Sequence, residues 1–288
     1  MKFFISWHPV PPDPPYWKWF KPDGIAVSLA NVNRRFIERA TTLGIHKVLG
    51  YDGTVMIDSL TSSKSISQLH VLILQSWMKP DLAVHKDYPI LDRTLSTSIR
   101  WKMLKKTIAN AEAALKLEDR LGIRLIYVIQ GWDLRTFTWC AEKYLEIGIS
   151  RMGLGSSKLA SPNNLIRRIK TIRQIIGKRN YLHVFGALKP SVIKSLSRYV
   201  DSVDSSSPVQ AAVRKSVYIV TKENKLKRIK LDYVSLNDLI ELLPKELGTW
   251  IVKVFEDEYI ESILKKSKDA RAILNAYVLT KYIKLLSE

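Results

Sequence analysis

Short β-branched apolar runs alternate along the 288-residue chain with longer stretches in which apolar residues recur every three or four positions. The first pattern predicts buried strands and the second amphipathic helices. The strand-like runs are FFIS (3–6), GIAVSL (24–29), KVLGY (47–51) with TVMI (54–57), DLAVH (81–85), IRLIYVI (123–129), ISRMGL (149–154), YLHVF (181–185) and VDSV (200–203). Between them lie ISQLHVLILQSWM, the long segment from Ile90 to Gly122, TFTWCAEKYLEIG, PNNLIRRIKTIRQIIG and PSVIKSLSRY. Ser161 before Pro162 reads as a helix N-cap with proline in the first turn, and Lys189-Pro190-Ser191 as a second helix start. This βα alternation predicts an α/β fold, a (β/α)8 TIM barrel.

From about residue 209 the rhythm changes. SVYIVTKENKLKRIKL predicts a hairpin turning at Glu223-Asn224, and helices follow to the C-terminus. No Gly/Ser- or Pro-rich linker intervenes, so the expectation is one domain over 1–288: a barrel core over about 1–215, then a hairpin and helical extension over about 216–288. The PPDPP stretch at 11–15 reads as a stiff, extended loop. No run approaches the roughly 18 apolar residues needed to span a bilayer, and MKFFISWHPVPPDPP is too short in its apolar part and too proline-rich for a secretory signal. A cytoplasmic protein without a membrane partner is expected. The single cysteine, Cys140, excludes an internal disulfide and a Cys-based zinc cluster within the chain, so no metal or cofactor is expected.

Charge adds a partner to this picture. The chain carries 46 Lys+Arg against 27 Asp+Glu, a formal +19, and between Lys158 and Lys230 the balance is 17 basic to 3 acidic residues. Basic clusters gain affinity for polyanions by displacing counterions from phosphates. Arg167, Arg168, Lys178, Arg179, Lys225, Lys227 and Arg228 are the candidate phosphate contacts, although a merely solvated basic surface satisfies the same count. YWKWF (16–20) admits two readings as well, a stacking platform for flipped bases or a hydrophobic cap on the barrel.

In a barrel the side chains at the C-terminal ends of the strands converge on one mouth, where active sites form. The strand-end residues here are Asp58, Asp87, Gln130-Gly131, Gly155, Gly186 and Asp204. Clustered carboxylates raise one another's proton affinity, which suits one of them to general acid/base work, and glycines let backbone approach a flat ligand. Asp204 is also open to the reading of a helix N-cap, because SSSP follows it. Asp87 can be a turn residue before Tyr88-Pro89, and Phe185 a core residue. His8 and His183 lie near strand ends and read first as structural histidines. Asp201 reads as a residue that orients its neighbours.

VMIDSLTS, PDLAVHKDYP, YVIQGWDLRTF, RMGLGSS, YLHVFGALKPSVIKSLSRYVDSVDSSSPVQAAVRK and the late ILNAYVL resemble, in order and spacing, the tRNA-guanine transglycosylase superfamily. MKFFISWH, and GLGSS followed by HVFGALKPS, are most similar to its branch that places 7-deazaguanine bases in DNA. The resemblance implies a (β/α)8 fold and a base exchange, in which a guanine is displaced from its sugar and a modified base is installed on the same carbon. It implies that Asp204, second aspartate of a D-x-x-D-S pattern, is the nucleophile and Asp58 the general acid/base. Asp87 would accept hydrogen bonds from the guanine edge, Gln130 with the backbone of Gly131 and Gly155 would read the opposite edge, and Phe185 beside Gly186 would pack on the base face. The implied partners are a nucleic acid, DNA before tRNA, and a 7-deazaguanine base, with a homodimer or an accessory protein as further candidates.

The chain departs from the family pattern at three places. Leu60 stands where a glycine usually follows Asp-Ser, and the C-x-C-x-x-C…H zinc site has no counterpart, with Leu274 about where its histidine would be. No appended domain of the kind archaeal tRNA enzymes use to grip tRNA is evident, which favours DNA or a recognition partner. Two other classes compete with the transglycosylase: an inactive nucleic-acid-binding subunit paired with an active homologue, and a small-molecule barrel enzyme with a basic exterior. Retention of Asp58, Asp87 and Asp204 together favours an enzyme, because a scaffold has no reason to keep clustered like charges.

Overall fold

Eight parallel strands close into a barrel in chain order: β1 (Lys2–Trp7), β2 (Gly24–Ser28), β3 (Thr54–Asp58), β4 (Leu82–Val84), β5 (Leu125–Ile129), β6 (Arg151–Leu154), β7 (Tyr181–Val184) and β8 (Ser202–Ser205). The computed structural model describes residues 1–59, 66–92, 94–156, 160–186, 190–221, 223–233, 249–250, 253–254 and 260–286. The helices of the barrel part are α1 (Arg34–Leu43), α2 (Ile45–Leu49), α3 (Gln68–Met78), α4 (Thr97–Leu121), α5 (Leu134–Glu146), α6 (Pro162–Ile176), α7 (Pro190–Leu196) and α8 (Ser207–Val213). The sequence therefore predicted the class correctly.

The alternating pleat of each strand sorts its residues into two cores. Phe3 and Ile5 join the apolar layer between sheet and helices, whereas Phe4 joins Ala26, Met56, Val84, Ile126 and Val128 in a separate cluster that fills the lumen. A filled lumen leaves space only at the mouth, where polar strand ends are exposed to a ligand. Closure sets the register that matters most, because β1 pairs with β8 so that Phe4 lies opposite Asp204.

Caps fix where the helices start. Ser96, Ser161 and Asp133 accept hydrogen bonds from the backbone N–H groups of Ile99, Asn164 and Thr136, each cap stabilising its helix by about 1 kcal/mol. The Ser161-Pro162 start is as predicted.

Three strand and helix expectations change. KVLGY is not a strand: α2 occupies Ile45–Leu49, its two buried residues, Ile45 and Leu49, stand at helical spacing, and Gly50 closes it in the left-handed conformation at φ 61°. VDSV shifts by two residues, because pairing with β1 begins at Ser202 and ends at Ser205. Helix α1, capped by Asn33, has no counterpart among the helices the sequence predicts, although Phe36, Ile37, Ala40 and Leu43 stand at helical spacing and Phe36 and Ile37 pack against the core.

The predicted hairpin forms from β9 (Ser216–Val220) and β10 (Leu226–Lys230), antiparallel, with Asn224 at φ 55° in the turn. Helices α9 (Ile260–Lys266) and α10 (Lys268–Leu285) follow. The buried Asn275 of α10 accepts from the Tyr218 N–H at 2.7 Å and donates to the carbonyls of Pro208 and Ser216 at 3.1 Å, tying α10 to α8 and the hairpin. Among the described residues no helix is long and apolar enough to cross a membrane.

Candidate active site

The mouth of the barrel holds a pocket of about 220 Å³. That is below the roughly 300–1,000 Å³ of typical ligand sites and suits one heterocyclic base better than a whole nucleotide. Asp58, Asp87, Gln130, Gly155, Phe185, Gly186 and Asp204 line it, together with Val128, Ser156, Pro89 and Leu91. Seven of the eight residues the sequence suggested for catalysis and base binding thus meet at one place. Gly131 is not among the lining residues: a Cβ there would strike the backbone nitrogen of Phe137 at 2.8 Å, so its missing side chain serves the docking of α5.

Asp204 sits inside the barrel within β8, not at a helix start; the N-cap position of α8 belongs to Ser206. One oxygen accepts from the Gly186 N–H at 2.9 Å and lies 3.2 Å from Nε2 of His183, and the other accepts from the Ser6 hydroxyl at 2.9 Å. Gly186 can aim its N–H this way because it adopts φ 63°, which a side chain would disfavour. Burial pushes the Asp204 carboxyl up, but the hydrogen bond and electrostatic pull of His183, the Gly186 N–H and Ser6 outweigh it and hold the group below the usual carboxylate range. The result is an anion kept ionised at the mouth and 14 % exposed.

His183 and Ser6 are contributors that sequence reasoning undervalued or missed. His183 is fully buried; its Nδ1 lies 2.7 Å from the Ser202 hydroxyl, which lies 2.5 Å from the hydroxyl of Tyr181. A line of polar groups therefore runs down the lumen from Asp204. Its signal in the sequence was the inward period-two pattern, Tyr181-x-His183 on β7, continued by Phe185 just past its end, facing Ser202-x-Asp204 on β8. The ring of His183 also packs edge-on against Phe185 with centroids 4.4 Å apart, which fixes the aromatic that lines the pocket.

On the opposite side of the pocket, Asp87 is buried at 4 % exposure and accepts from Nε2 of Gln130 at 2.5 Å. Gln130 in turn accepts from the Ser156 hydroxyl at 2.6 Å. The two residues expected to read opposite edges of a base are thus hydrogen-bonded to each other, and a base contacting both would exchange that bond for its own. A Cβ at Gly155 would overlap the Gln130 amide, so this glycine makes room for the amide itself. Burial pushes the Asp87 carboxyl up to about 6, against the opposing hydrogen bond from Gln130 and the charge of Lys86. Asp58 ends β3 opposite Ser28 of β2, and one of its oxygens accepts from the Ser59 N–H at 2.7 Å.

The other acid of the D-x-x-D pattern is remote from this chemistry. Asp201 lies before β8, accepts from the Leu182 N–H at 2.7 Å and pairs with Arg173 at 2.7 Å, in a groove shared with Met1 and Lys178 at the opposite end of the barrel. Lys178 and Arg179, in the α6–β7 connection, therefore lie away from the mouth. Arg168 stacks on Phe137 with its guanidinium carbon 3.9 Å from the ring centroid, and burial lowers its pKa to about 10, opposed by the nearby Asp133. Arg167 is exposed on α6, and Lys225, Lys227 and Arg228 are exposed on the hairpin. His8 is held by Asp13, with Nδ1 2.8 Å from its carboxylate. In YWKWF, Tyr16 is fully buried, Trp17 packs on Trp7 and Tyr51, and Phe20 packs on Trp250 and Tyr277, as a hydrophobic cap does. The loop that carries Leu60 lies outside the described residues.

The zinc site of the family pattern does not fit these residues. Leu274 is buried within α10, Cys140 is buried in α5 with its thiol pushed up to about 12 by burial, and the described residues hold no group of three or more His, Cys, Asp or Glu able to bind a metal. Prolonged dialysis against EDTA is accordingly expected to leave the thermal unfolding midpoint unchanged, as read by circular dichroism. A drop that zinc reverses would show that a site exists.

The family model described as queuine tRNA-ribosyltransferase matches residues 28–284. A tRNA-guanine(15) transglycosylase of Korarchaeum cryptofilum (strain OPF8) is 26 % identical over 183 residues, which cover 59 % of this chain and 31 % of the relative. The chain thus spans about a third of the length of that relative. With a closed (β/α)8 barrel, carboxylates gathered at its mouth and a family match over most of its length, the chain belongs to the queuine tRNA-ribosyltransferase family.

Proposed function

We propose that this protein is a pentosyltransferase that exchanges a guanine in nucleic acid for a 7-deazaguanine, through a covalent bond between Asp204 and the sugar. The observation that carries the reading is the sharing of one base-sized pocket by Asp58, Asp87 and an Asp204 held as an anion. Asp204 attacks the anomeric carbon, and guanine departs with the electron pair of the glycosidic bond, taking a proton from Asp58. The incoming base then gives a proton to Asp58, and its nitrogen attacks the same carbon, expelling Asp204. Two inversions give net retention, as in retaining glycosidases. His183, Gly186 and Ser6 hold the nucleophile in place, and Asp87 with Gln130 selects the base.

DNA is the proposed substrate class, supported by the likeness of MKFFISWH and HVFGALKPS to the DNA-modifying branch. The test is incorporation of radiolabelled guanine into DNA and, separately, into tRNA. Acid-precipitable label in the DNA arm is expected. Label in tRNA alone would overturn the substrate assignment, and label in neither would overturn the exchange.

The buried Asp87 makes base recognition pH-dependent. Only its ionised form accepts from two N–H donors of guanine, so kcat/KM for the base should rise as pH increases through about 6. Gln130→Met removes a hydrogen bond that lowers this pKa, so the limb should move to higher pH. A limb unmoved by that change would detach it from Asp87. Stability should run the other way. The folded protein binds the Asp87 proton more tightly than the unfolded chain, so this group's contribution falls as pH rises from about 3.8 to about 6.

A further inference from the structure

One face of α4 carries Trp101, Lys102, Lys105 and Lys106, and with Trp139 of α5 these residues line an open groove of about 910 Å³. Residues 96–111 hold four basic side chains and no acidic one, a local excess outside the basic region that stood out in the sequence. The groove is rooted in the pocket at two points. Lys106 lies over the ring of Tyr88 at 5.5 Å, and Tyr88, the residue after Asp87, donates its N–H to Thr107 of α4 at 2.9 Å. Trp101 packs edge-on against Trp132 and Trp139 with centroids 5.3 and 5.1 Å apart, and Trp132 follows Gln130-Gly131. The two segments that present Asp87 and Gln130 to a base therefore also build the inner end of a basic, aromatic track.

We propose that this groove binds a single-stranded segment of the nucleic acid flanking the exchanged nucleotide, with phosphates on Lys102, Lys105 and Lys106 and an unpaired base against Trp101 and Trp139. The inference rests on the reading that the pocket acts on a base in nucleic acid. Lysines one helical turn apart can follow a phosphate backbone, and indole faces stack on any base, but only when the base is out of its duplex. A base must leave the stack to reach a pocket of this kind, so an opened strand is what the mouth would receive.

The test uses the full-length protein and fluorescent oligothymidylate, which contains no guanine and so reports the track and not the pocket. Affinity is measured against salt for the wild type, for the triple variant Lys102→Gln/Lys105→Gln/Lys106→Gln and for Trp139→Ala, with circular dichroism as a fold control. Loss of three phosphate contacts should flatten the log–log salt slope by about 2, at roughly 0.7 per contact on a single strand. Loss of the stacking surface should weaken binding about fivefold or more. Oligouridylate decides between DNA and RNA, either of which supports the groove.

The proposal is overturned if the wild type does not bind, if the triple variant keeps wild-type affinity and slope, or if duplex or polyglutamate competes as well as the single strand. Because no exchange is read, the outcomes separate. Binding through the groove without guanine exchange would sink the proposed activity alone, and exchange with groove-independent binding would sink the groove alone.

Discussion

Asp204→Asn should abolish the covalent adduct between protein and nucleic acid while leaving non-covalent binding intact. The wild type, incubated with a labelled guanine-containing oligonucleotide and no incoming base, should give a band that survives denaturing electrophoresis. Asparagine has the shape of aspartate and keeps an oxygen for the Gly186 N–H, so the barrel should fold, but its amide is a far weaker nucleophile. Binding should persist because phosphate contacts supply most of the affinity of such complexes. An adduct of wild-type intensity in the variant would place the nucleophile elsewhere. Asp201 is not a substitute, since it is bonded to Leu182 and Arg173 at the far end of the barrel. Asp201→Asn should lower stability and leave the adduct in place.

The second large effect is expected at Asp58. Removing a general acid/base typically costs about 10²–10⁴ in rate, so Asp58→Asn should form its adduct slowly and resolve it slowly, with binding unchanged. Single-turnover gels that follow adduct appearance, and then its decay on addition of the incoming base, measure both steps. Since the same carboxyl is proposed to protonate the departing base and deprotonate the entering one, both rates should fall. A variant slowed in neither step would remove Asp58 from the proton transfer. Unpaired guanine should react faster than paired guanine in either protein, because extrusion from a duplex costs a few kcal/mol.

Most of the fold was legible because its signals are local. Period-two strands, helices with Ser or Pro starts and the Asn224 turn all follow from side-chain spacing and backbone preference over a few residues. KVLGY misled because short apolar runs fit either period, and its helix depends on Gly44 and Gly50 at positive φ. Strand β8 was misplaced because it presents Ser202 and Asp204 to the lumen, and inward polar residues erase the alternation that marks a strand.

The sequence by itself determined the βα class, the strand-end carboxylates Asp58, Asp87 and Asp204, the basic character and the family resemblance. Each of these depends on residue type and spacing along the chain. Tertiary structure decided how those groups are charged and paired: the Asp87–Gln130 bond, the His183, Gly186 and Ser6 contacts of Asp204, and the remoteness of Asp201. It also set Lys178 away from the mouth and brought Lys106 of α4 over Tyr88, beside Asp87. These relations link residues as far apart as Ser6 and Asp204, brought together only when β8 closes on β1. Closing that barrel fixes burial and hydrogen bonding, and these two quantities set a carboxyl's pKa and its chemistry.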